Sequence, residues 1–171
     1  MKKLVILCVF LMGAFSLSYA QKFAIVDMEY ILKHVPAYES ANEQLNQVSK
    51  KWQTEVETQT QAVQNMYKTY QTEVVFMSPE MKTKRENEIV EKEKAAQDLK
   101  RKYFGPDGEL FKKRQSLMKP IQDEIYNAIQ TISNEKGYQL ILDKSSAMNI
   151  IFSSSRIDIS DDVLVKLGYS K

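Results

Sequence analysis

The residues that could carry out catalysis are few and scattered along the sequence. His34 is the only histidine, and it lies beside a proline at the end of a short predicted helix, where a packing or capping role is expected. Asp27 and Glu29 point in different directions at a helix start, so they make a weak acid–base pair. No histidine, cysteine and carboxylate residues have metal-ligand spacing. We therefore predict no enzymatic activity, no metal and no cofactor.

Two further motifs have simpler structural interpretations. The serines at 153–155 lack the G-x-S-x-G context of a nucleophilic serine and are predicted to form a loop. The sequence Gly-Pro-Asp-Gly at 105–108 has the chemistry of a turn and does not resemble a phosphate-binding loop.

Basic residues gather on both sides of this turn. Residues 99–119 contain seven basic side chains and two acidic ones. They form either a solvated helix face or a surface that attracts acidic partners or anionic lipid headgroups. Without a recognised nucleic-acid motif, we expect no nucleic-acid partner. The basic surface comprises Lys100, Arg101, Lys102, Lys112, Lys113 and Arg114, with a second trio at Lys82, Lys84 and Arg85.

Residues 1–20 have the pattern of a secretory signal peptide. A basic start and an apolar run too short to span a membrane precede small residues at the expected cleavage site after Ala20. Cleavage removes Cys8, the only cysteine, so the exported chain needs no disulfide. It also removes two lysines, which lowers the formal net charge from +2 to zero.

The longest pattern in the sequence predicts a helical hairpin over residues 38–134. On the outgoing limb, apolar residues recur every three, four or seven positions and form one narrow stripe on a helix. Ser78 and Pro79 suit the cap and first position of a new helix, so the tip is predicted near residues 76–81. The stripe comprises Leu45, Val48, Trp52, Val56, Val63, Met66, Tyr70, Val74 and Met77.

The return limb is also sparsely apolar and is interrupted at residues 105–108. Gly105, Pro106 and Gly108 all oppose helix continuation, so the break is either a hinge or a correction of register between unequal limbs. Each limb would be about 55 to 60 Å long. The apolar positions are Met81, Ile89, Ala96, Leu99 and Tyr103 before the break, then Leu110, Leu117, Ile121, Ile125, Ala128 and Ile132.

Short elements flank the hairpin and predict a small β-rich body over residues 21–37 and 135–171. Residues 23–26 form an apolar strand, followed by a short helix that Asp27 caps and Pro36 ends. Residues 138–143 and 148–152 are predicted to form an antiparallel strand pair, with Gly137 ending the helix before it.

A final helix is predicted from Ser160 to Gly168. A body of about 60 residues has little core of its own, so the sequence predicts oligomerisation. The expected core residues are Phe23, Ile25, Val26, Leu140, Leu142, Ile150 and Phe152.

The ordered set of segments resembles the Skp/OmpH family of periplasmic chaperones. The segments that carry the resemblance are the opening AIVDM, the block KPIQDEIYNAIQTISNEKGYQLILD and the terminal DISDDVLVKL. The resemblance implies an α+β, jellyfish-shaped homotrimer in the periplasm. Each subunit adds strands to a trimerisation body and contributes one coiled-coil-like antiparallel hairpin as a tentacle.

The resemblance also implies a function. Members of the Skp/OmpH family enclose unfolded outer-membrane proteins between their tentacles. Lipopolysaccharide binding has also been associated with the family. This chain departs from strongly basic members because its mature net charge is zero, and from a continuous return helix because of the break at 105–108. Acidic residues beside Lys82, Lys84 and Arg85 weaken the case for lipopolysaccharide there.

Five residues near the tip are candidates for contact with clients: Tyr67, Tyr70, Phe76, Met77 and Met81. Methionine and tyrosine suit promiscuous contact because they are adaptable and amphipathic. Alternatively these residues join the two limbs, an interpretation favoured for Tyr70, Met77 and Met81 because they lie on the apolar stripe. A structural adaptor is the competing function, but the stripe skips from Val56 to Val63 and the chain has no room for additional β-rich domains.

Overall fold

The computed structural model describes residues 21–146 and 150–169. The predicted signal peptide at 1–20, and Met148 and Asn149 of a predicted strand, lie outside the described residues. The fold is mostly helical and divides into two compact units. We call them the body unit, Met1–His34 with Ile125–Lys171, and the arm unit, Val35–Glu124. No helix among the described residues is both long enough and apolar enough to cross a membrane.

The body unit contains a two-stranded parallel sheet. Strand β1 (Lys22–Val26) pairs with β2 (Tyr138–Asp143), so that Phe23 lies opposite Leu140 and Ile25 opposite Leu142. The expectation that strands from the two ends of the chain meet is confirmed. Their parallel direction requires a long connection, which the intervening helices supply.

The predicted antiparallel partner of β2 is not formed by residues 150–152, the part of that strand which the structure describes. The described part of the body is not β-rich, because β1 and β2 form a sheet of two strands there. The backbone of Ile25 is instead bridged on its free side by Asp158, and the amide of Ile159 donates to the Ile25 carbonyl at 2.9 Å. Backbone groups on the free edge of β1 are therefore hydrogen-bonded by a later segment of the chain.

Short helices complete the body unit. Helix α1 (Met28–Lys33) begins where the Asp27 carboxylate accepts from the amide of Tyr30 at 2.9 Å, as predicted. Gly137 precedes β2 with φ +71°, which confirms the predicted left-handed position. The buried apolar residues of this unit are Ala24, Ile25, Val26, Ile31, Ile125, Ala128, Ile132, Ile159, Val163 and Leu164.

The arm unit begins with helix α2 (Pro36–Glu73), which is 38 residues long and therefore about 57 Å. It starts two residues earlier than predicted because Pro36 occupies its first turn, where a missing amide hydrogen costs nothing. A 3₁₀ turn (Val74–Phe76) leads to helix α3 (Pro79–Phe104), and the Ser78 hydroxyl accepts from the amide of Met81 at 3.3 Å. The predicted turn at Ser78-Pro79 is confirmed.

Helices α2 and α3 pack through the predicted stripe. All nine residues predicted on the outgoing limb are buried or half-buried, with Leu45 and Val63 the most enclosed. On α3 the buried residues are Ile89, Ala96 and Tyr103. Met81 is an exception, because it lies in the first turn of α3 and is 57% exposed. Its predicted place on the seam was wrong.

The break at residues 105–108 is a tight turn between α3 and helix α4 (Glu109–Lys136), and we call it the elbow. The amide of Gly105 donates to the Arg101 carbonyl at 2.8 Å, and that of Gly108 donates to the Gly105 carbonyl at 2.9 Å. A Cβ at Gly108 would lie only 2.7 Å from the Tyr103 carbonyl oxygen, so a side chain cannot be placed there without movement. The predicted interruption is confirmed.

Helix α4 continues through Pro120 and carries the predicted apolar positions, with Ile121, Ile125, Ala128 and Ile132 buried. Beyond β2, a 3₁₀ turn (Ser155–Ile157) precedes helix α5 (Ser160–Lys166), which begins at the predicted serine. Gly168 then adopts φ +86°, a conformation that ends helices.

Candidate binding surfaces

The described part of the chain contains no cluster of candidate metal ligands. None of its histidine, cysteine, aspartate and glutamate side chains form a group of three that could hold a metal ion. His34 lies at the end of α1, with its Nδ1 2.8 Å from the carbonyl oxygen of Tyr30 and its ring 4.3 Å from the Tyr30 ring. The expected capping and packing role of this histidine is confirmed.

The tip of the hairpin exposes apolar side chains. Phe76 is 90% exposed and Val75 is 78% exposed, both within the 3₁₀ turn after α2. Val75 and Phe76 lie off the apolar stripe, and neither side chain is buried against α3. Phe76 is therefore not used to join the two helices, whereas the sequence had left both interpretations open.

The two tyrosines near the tip have different environments. Tyr70 is half-buried, and its hydroxyl donates to the carboxylate of Glu86 across the hairpin, which raises the pKa of Tyr70. It joins α2 to α3, as its place on the stripe predicts. Tyr67 is exposed and lies beside a groove between the helices.

The two methionines near the tip share a shallow depression with charged neighbours. Met77 is half-buried, Met81 is exposed, and both lie beside Lys84, Arg85 and Glu88. Together with the exposed Phe76, they place apolar and polarizable surface at the end of the arm unit. Such surface is adaptable, because methionine side chains repack at small cost.

Most of the basic residues around the elbow form no ion pair with a described residue. Of the six, only Lys112 forms an ion pair within the described chain, to Glu109 at 3.2 Å, while Lys102 lies 5.7 Å from the centre of the Tyr103 ring. Arg101 and Lys102 occupy the last turn of α3, where cations complement the helix dipole. The remaining positive charge is available to an external anion.

The basic trio near the tip is less available. Arg85 pairs with Glu88 at 3.2 Å on the same helix, and Lys82 is half-buried. Lys84 is the exposed member, and it lies within two residues of Glu86. These contacts agree with the expectation that acidic neighbours weaken anion binding at this end.

The predicted core of the body unit separates into two sets. Ile25 and Val26 are buried, whereas Phe23, Leu140 and Leu142 are each nearly half exposed. Since Phe23 lies opposite Leu140, and Leu142 follows two residues later, the three side chains share one face of the sheet. Ile150 is half-buried, but Phe152 is 85% exposed, so it is not in the core of a single chain.

Sequence reasoning missed two features of the arm unit. The ring of Trp52 stacks on Tyr103 at 4.8 Å with an interplanar angle of 5°, and the Tyr103 hydroxyl donates to Glu55 at 3.0 Å. This contact pins the end of α3 to α2 beside the elbow. The second is a groove between α2 and α3 whose walls are rich in glutamine and threonine. Only the polar, weakly charged composition of residues 53–65 could have signalled it.

The chain matches one protein family and resembles a solved structure. Residues 22–167 match the model of the family described as outer membrane protein (OmpH-like). No curated protein sequence matches the chain at a significant level. The chain is also similar to a crystal structure from Caulobacter crescentus CB15, provisionally described as an OmpH-like outer membrane chaperone. The TM-score is 0.68 at 15% identity, over 86% of this chain and 83% of that one. At that identity the structural likeness supports the fold alone.

Proposed function

This chain belongs to the OmpH-like outer membrane protein family, and from that premise we propose that it is a periplasmic chaperone that holds unfolded outer-membrane proteins. The observation that carries the proposal is the family match over residues 22–167, which includes the whole hairpin and both strands. The proposed role is to prevent client aggregation, without a cofactor, during transit to the outer membrane.

The surface of the arm unit supports this role. An unfolded membrane protein exposes scattered apolar groups, which many weak and adaptable contacts can hold without imposing a fold. Phe76, Val75 and Met81 present such contacts at the tip, on a hairpin whose own seam does not need them. Tyr67, Tyr70 and Met77 would contribute only their exposed portions.

We propose that the body unit assembles the chain into a homotrimer. Phe23, Leu140 and Leu142 form an exposed apolar patch on the sheet, which has two strands among the described residues. Two-stranded sheets are marginal alone, and exposed apolar faces of this kind are typical of association surfaces. In the trimer these side chains would become core, as the sequence predicts, and the arms of three chains would enclose the client.

The elbow is the proposed site for an anionic surface, either lipopolysaccharide or membrane lipid. Lys100, Arg101, Lys113 and Arg114 form no ion pair with any described residue. Cations without internal partners attract external anions, and this attraction weakens as salt is added. The tip trio contributes less, because Arg85 already has a partner.

The test is a shortened protein in which Val63 is joined to Ala95 through a short turn. The excised segment contains the tip and the outer part of the α2–α3 pair, while the body unit is untouched. An outer-membrane β-barrel protein is diluted from urea, and its aggregation is followed by light scattering with the full-length or the shortened protein present. We expect only the full-length protein to suppress aggregation.

Two outcomes would contradict the proposal. If the full-length protein does not suppress aggregation, the chain is not a holdase. If the shortened protein suppresses it equally well, clients are not held by the arm. The molar mass of both proteins by light scattering at micromolar concentration tests the trimer separately, and a monomeric mass would exclude it.

A further inference from the structure

The exported chain that the sequence predicts has methionine as its only sulfur-containing residue. Cys8 lies in the predicted signal peptide, so no thiol remains to react first with an oxidant. Since the oxidant must reach the thioether, exposure decides which methionine is modified. Met81 is 57% exposed. The other methionines among the described residues are half-buried, and they are Met28, Met66, Met77 and Met118.

The backbone at Met81 is fixed although its side chain is exposed. Its amide donates to the Ser78 hydroxyl at 3.3 Å in the first turn of α3. Met77 follows the 3₁₀ turn, and the two methionines line the same depression. The other residues that line this depression are charged, and they are Lys84, Arg85 and Glu88.

These charged neighbours suit an oxidised Met81. A thioether is a weak hydrogen-bond acceptor, whereas a sulfoxide presents a polar oxygen. Lys84 and Arg85 follow Met81 by three and four residues, a spacing that places them on its side of the helix. Arg85 pairs with Glu88 at 3.2 Å, but a guanidinium has five N–H donors and can serve a second acceptor. A sulfoxide at Met81 therefore has donors on the same face and need not enter the seam.

Oxidation of Met77 has a different consequence. Met77 is half-buried and belongs to the apolar stripe through which α2 and α3 pack. A sulfoxide there places a polar oxygen in the seam, where it disrupts apolar contacts. The reaction that Met81 tolerates is therefore damaging at the methionine four residues before it.

We propose that Met81 is a reversible oxidation site, modified by hydrogen peroxide without disturbing the packing of the hairpin. The Met81 sulfur attacks one peroxide oxygen, so that an S–O bond forms while the O–O bond breaks. The proton of the bound oxygen passes to the departing hydroxide, which leaves as water. The sulfur is oxidised by two electrons and the peroxide is reduced by two. A methionine sulfoxide reductase reverses the step with a dithiol, whose two electrons and two protons release the oxygen as water.

The consequence for clients rests on the proposed chaperone function. Oxidation converts a flexible apolar side chain into a polar one, so it removes one of the adaptable apolar contacts at the tip. The tip should then hold unfolded clients less well until the sulfoxide is reduced. Peroxide would in this way regulate the proposed client-binding surface.

The direct test treats the full-length protein with hydrogen peroxide and measures the sulfoxide at each methionine by peptide mass spectrometry. We expect Met81 to be oxidised at least about fivefold faster than Met66 and Met118, because they are half-buried. A methionine sulfoxide reductase should return Met81 to the thioether. Equal rates at the three methionines would overturn the site, and so would a sulfoxide that the reductase leaves in place.

Two substitutions separate a tolerated oxidation from a damaging one. Glutamine imitates the polar, unbranched sulfoxide, so Met81→Gln and Met77→Gln represent the two oxidised forms. We expect Met81→Gln to keep the wild-type midpoint of urea denaturation, followed by circular dichroism, and Met77→Gln to lower it. An equal loss in both variants would place Met81 in the seam and overturn the tolerated site.

Suppression of client aggregation tests the regulatory consequence. The protein is treated with peroxide, the peroxide is removed, and an outer-membrane β-barrel protein is then diluted from urea in its presence. We expect treatment to lower suppression about twofold and the reductase to restore it. Relative to its own untreated value, Met81→Leu should lose less, whereas Met118→Leu, which also removes one methionine, should lose as much as the wild type.

These outcomes separate the oxidation site from the chaperone function. If Met81 is oxidised first but suppression is unchanged, the site does not regulate clients and that consequence is overturned. If the untreated protein does not suppress aggregation, the chaperone function itself fails, while the sulfoxide measurements still decide the site.

Discussion

The body unit and the arm unit use their polar groups in opposite ways. In the body unit, Lys144 lies 2.8 Å from Asp158 and 3.4 Å from Asp27, and the buried Ser160 hydroxyl accepts from the Asp27 amide while donating to Asp158. In the arm unit, Gln64, Gln97 and Lys100 remain without partners among the described residues. Satisfied networks fix one structure, whereas unpartnered groups are available to a ligand. We therefore expect this network to stabilise the body unit, whereas binding of a client by the arm unit stays a proposal.

The largest expected effect comes from a charge placed in the body core. Ile25 is 4% exposed, so Ile25→Asp buries an unpaired carboxylate and should cost several kcal/mol of unfolding free energy. We expect the body unit to unfold, which far-ultraviolet circular dichroism and urea denaturation would measure. The same change at the exposed tip, Val75→Asp, is the control and should alter stability by less than about 0.5 kcal/mol.

Leu142→Asp sharpens the same comparison. Leu142 lies opposite Ile25 in the sheet but is 44% exposed in the single chain, so its charge can remain solvated there. If the exposed sheet face is the trimer contact, Leu142→Asp should give a lower molar mass while Ile25→Asp gives loss of structure. An unchanged trimer in Leu142→Asp would move the association surface elsewhere.

A smaller effect is expected at the elbow, where backbone atoms of the arm unit pack closely around Gly108. The Cβ of Gly108→Ala would lie 2.7 Å from the Tyr103 carbonyl oxygen and 2.9 Å from the Gly105 nitrogen, both backbone atoms. We expect a loss of about 1 to 3 kcal/mol in urea denaturation. Asp107→Ala, at an exposed position of the same turn, should be nearly neutral. Equal stabilities of the two variants would mean that the elbow yields easily, as the hinge interpretation of the break requires.

The smallest expected effect is a pH dependence that belongs to the body unit. Burial alone would raise the pKa values of Asp143 and Asp158, but hydrogen bonds from Ser145, Ser146 and the Met28 amide hold that of Asp143 below its usual range. Lys144 and Ser160 do the same for Asp158. The folded state then binds fewer protons than the unfolded state. The resulting stability is fully present above about pH 4, the ordinary pKa of aspartate, and is lost as pH falls through the lower folded values.

The check is urea denaturation at several pH values between neutrality and about pH 3, at one protein concentration. Lys144→Met should be less stable than the wild type at neutral pH and should lose less stability on acidification. Lys94→Met, an exposed arm substitution, should follow the wild-type curve. If Lys144→Met and the wild type lose stability in parallel, the network around Lys144 is not the source of the pH dependence.

The sequence predicted well what depends on neighbouring residues. The apolar spacing from Leu45 to Met77 identified the seam because helical periodicity is local, and Ser78-Pro79 and Gly137 marked their turns through backbone preferences. Pairing of strands is not local. Residues 150–152 are apolar enough for a strand, yet β2 pairs with β1, more than a hundred residues away, and Asp158 bridges the free edge of β1.

The candidate binding surfaces were only partly predictable for the same reason. Phe76 and Met81 were recognised as candidates by residue type, but their exposure depends on where α2 ends and α3 begins to pack. The groove was missed because it is formed by two helices. Gln64 and Lys100 are distant in sequence, and nothing in the local pattern of either helix shows that they border the same depression.

The stacked pair beside the elbow gives the molecule a built-in optical reporter. The sequence has one tryptophan, Trp52, and it belongs to the arm unit, in face-to-face contact with Tyr103. Its emission spectrum therefore reports on the contact between α2 and α3 beside the elbow, within the arm unit. Emission recorded together with circular dichroism would show directly, without any added label, whether the two units melt as one cooperative system or in separate steps.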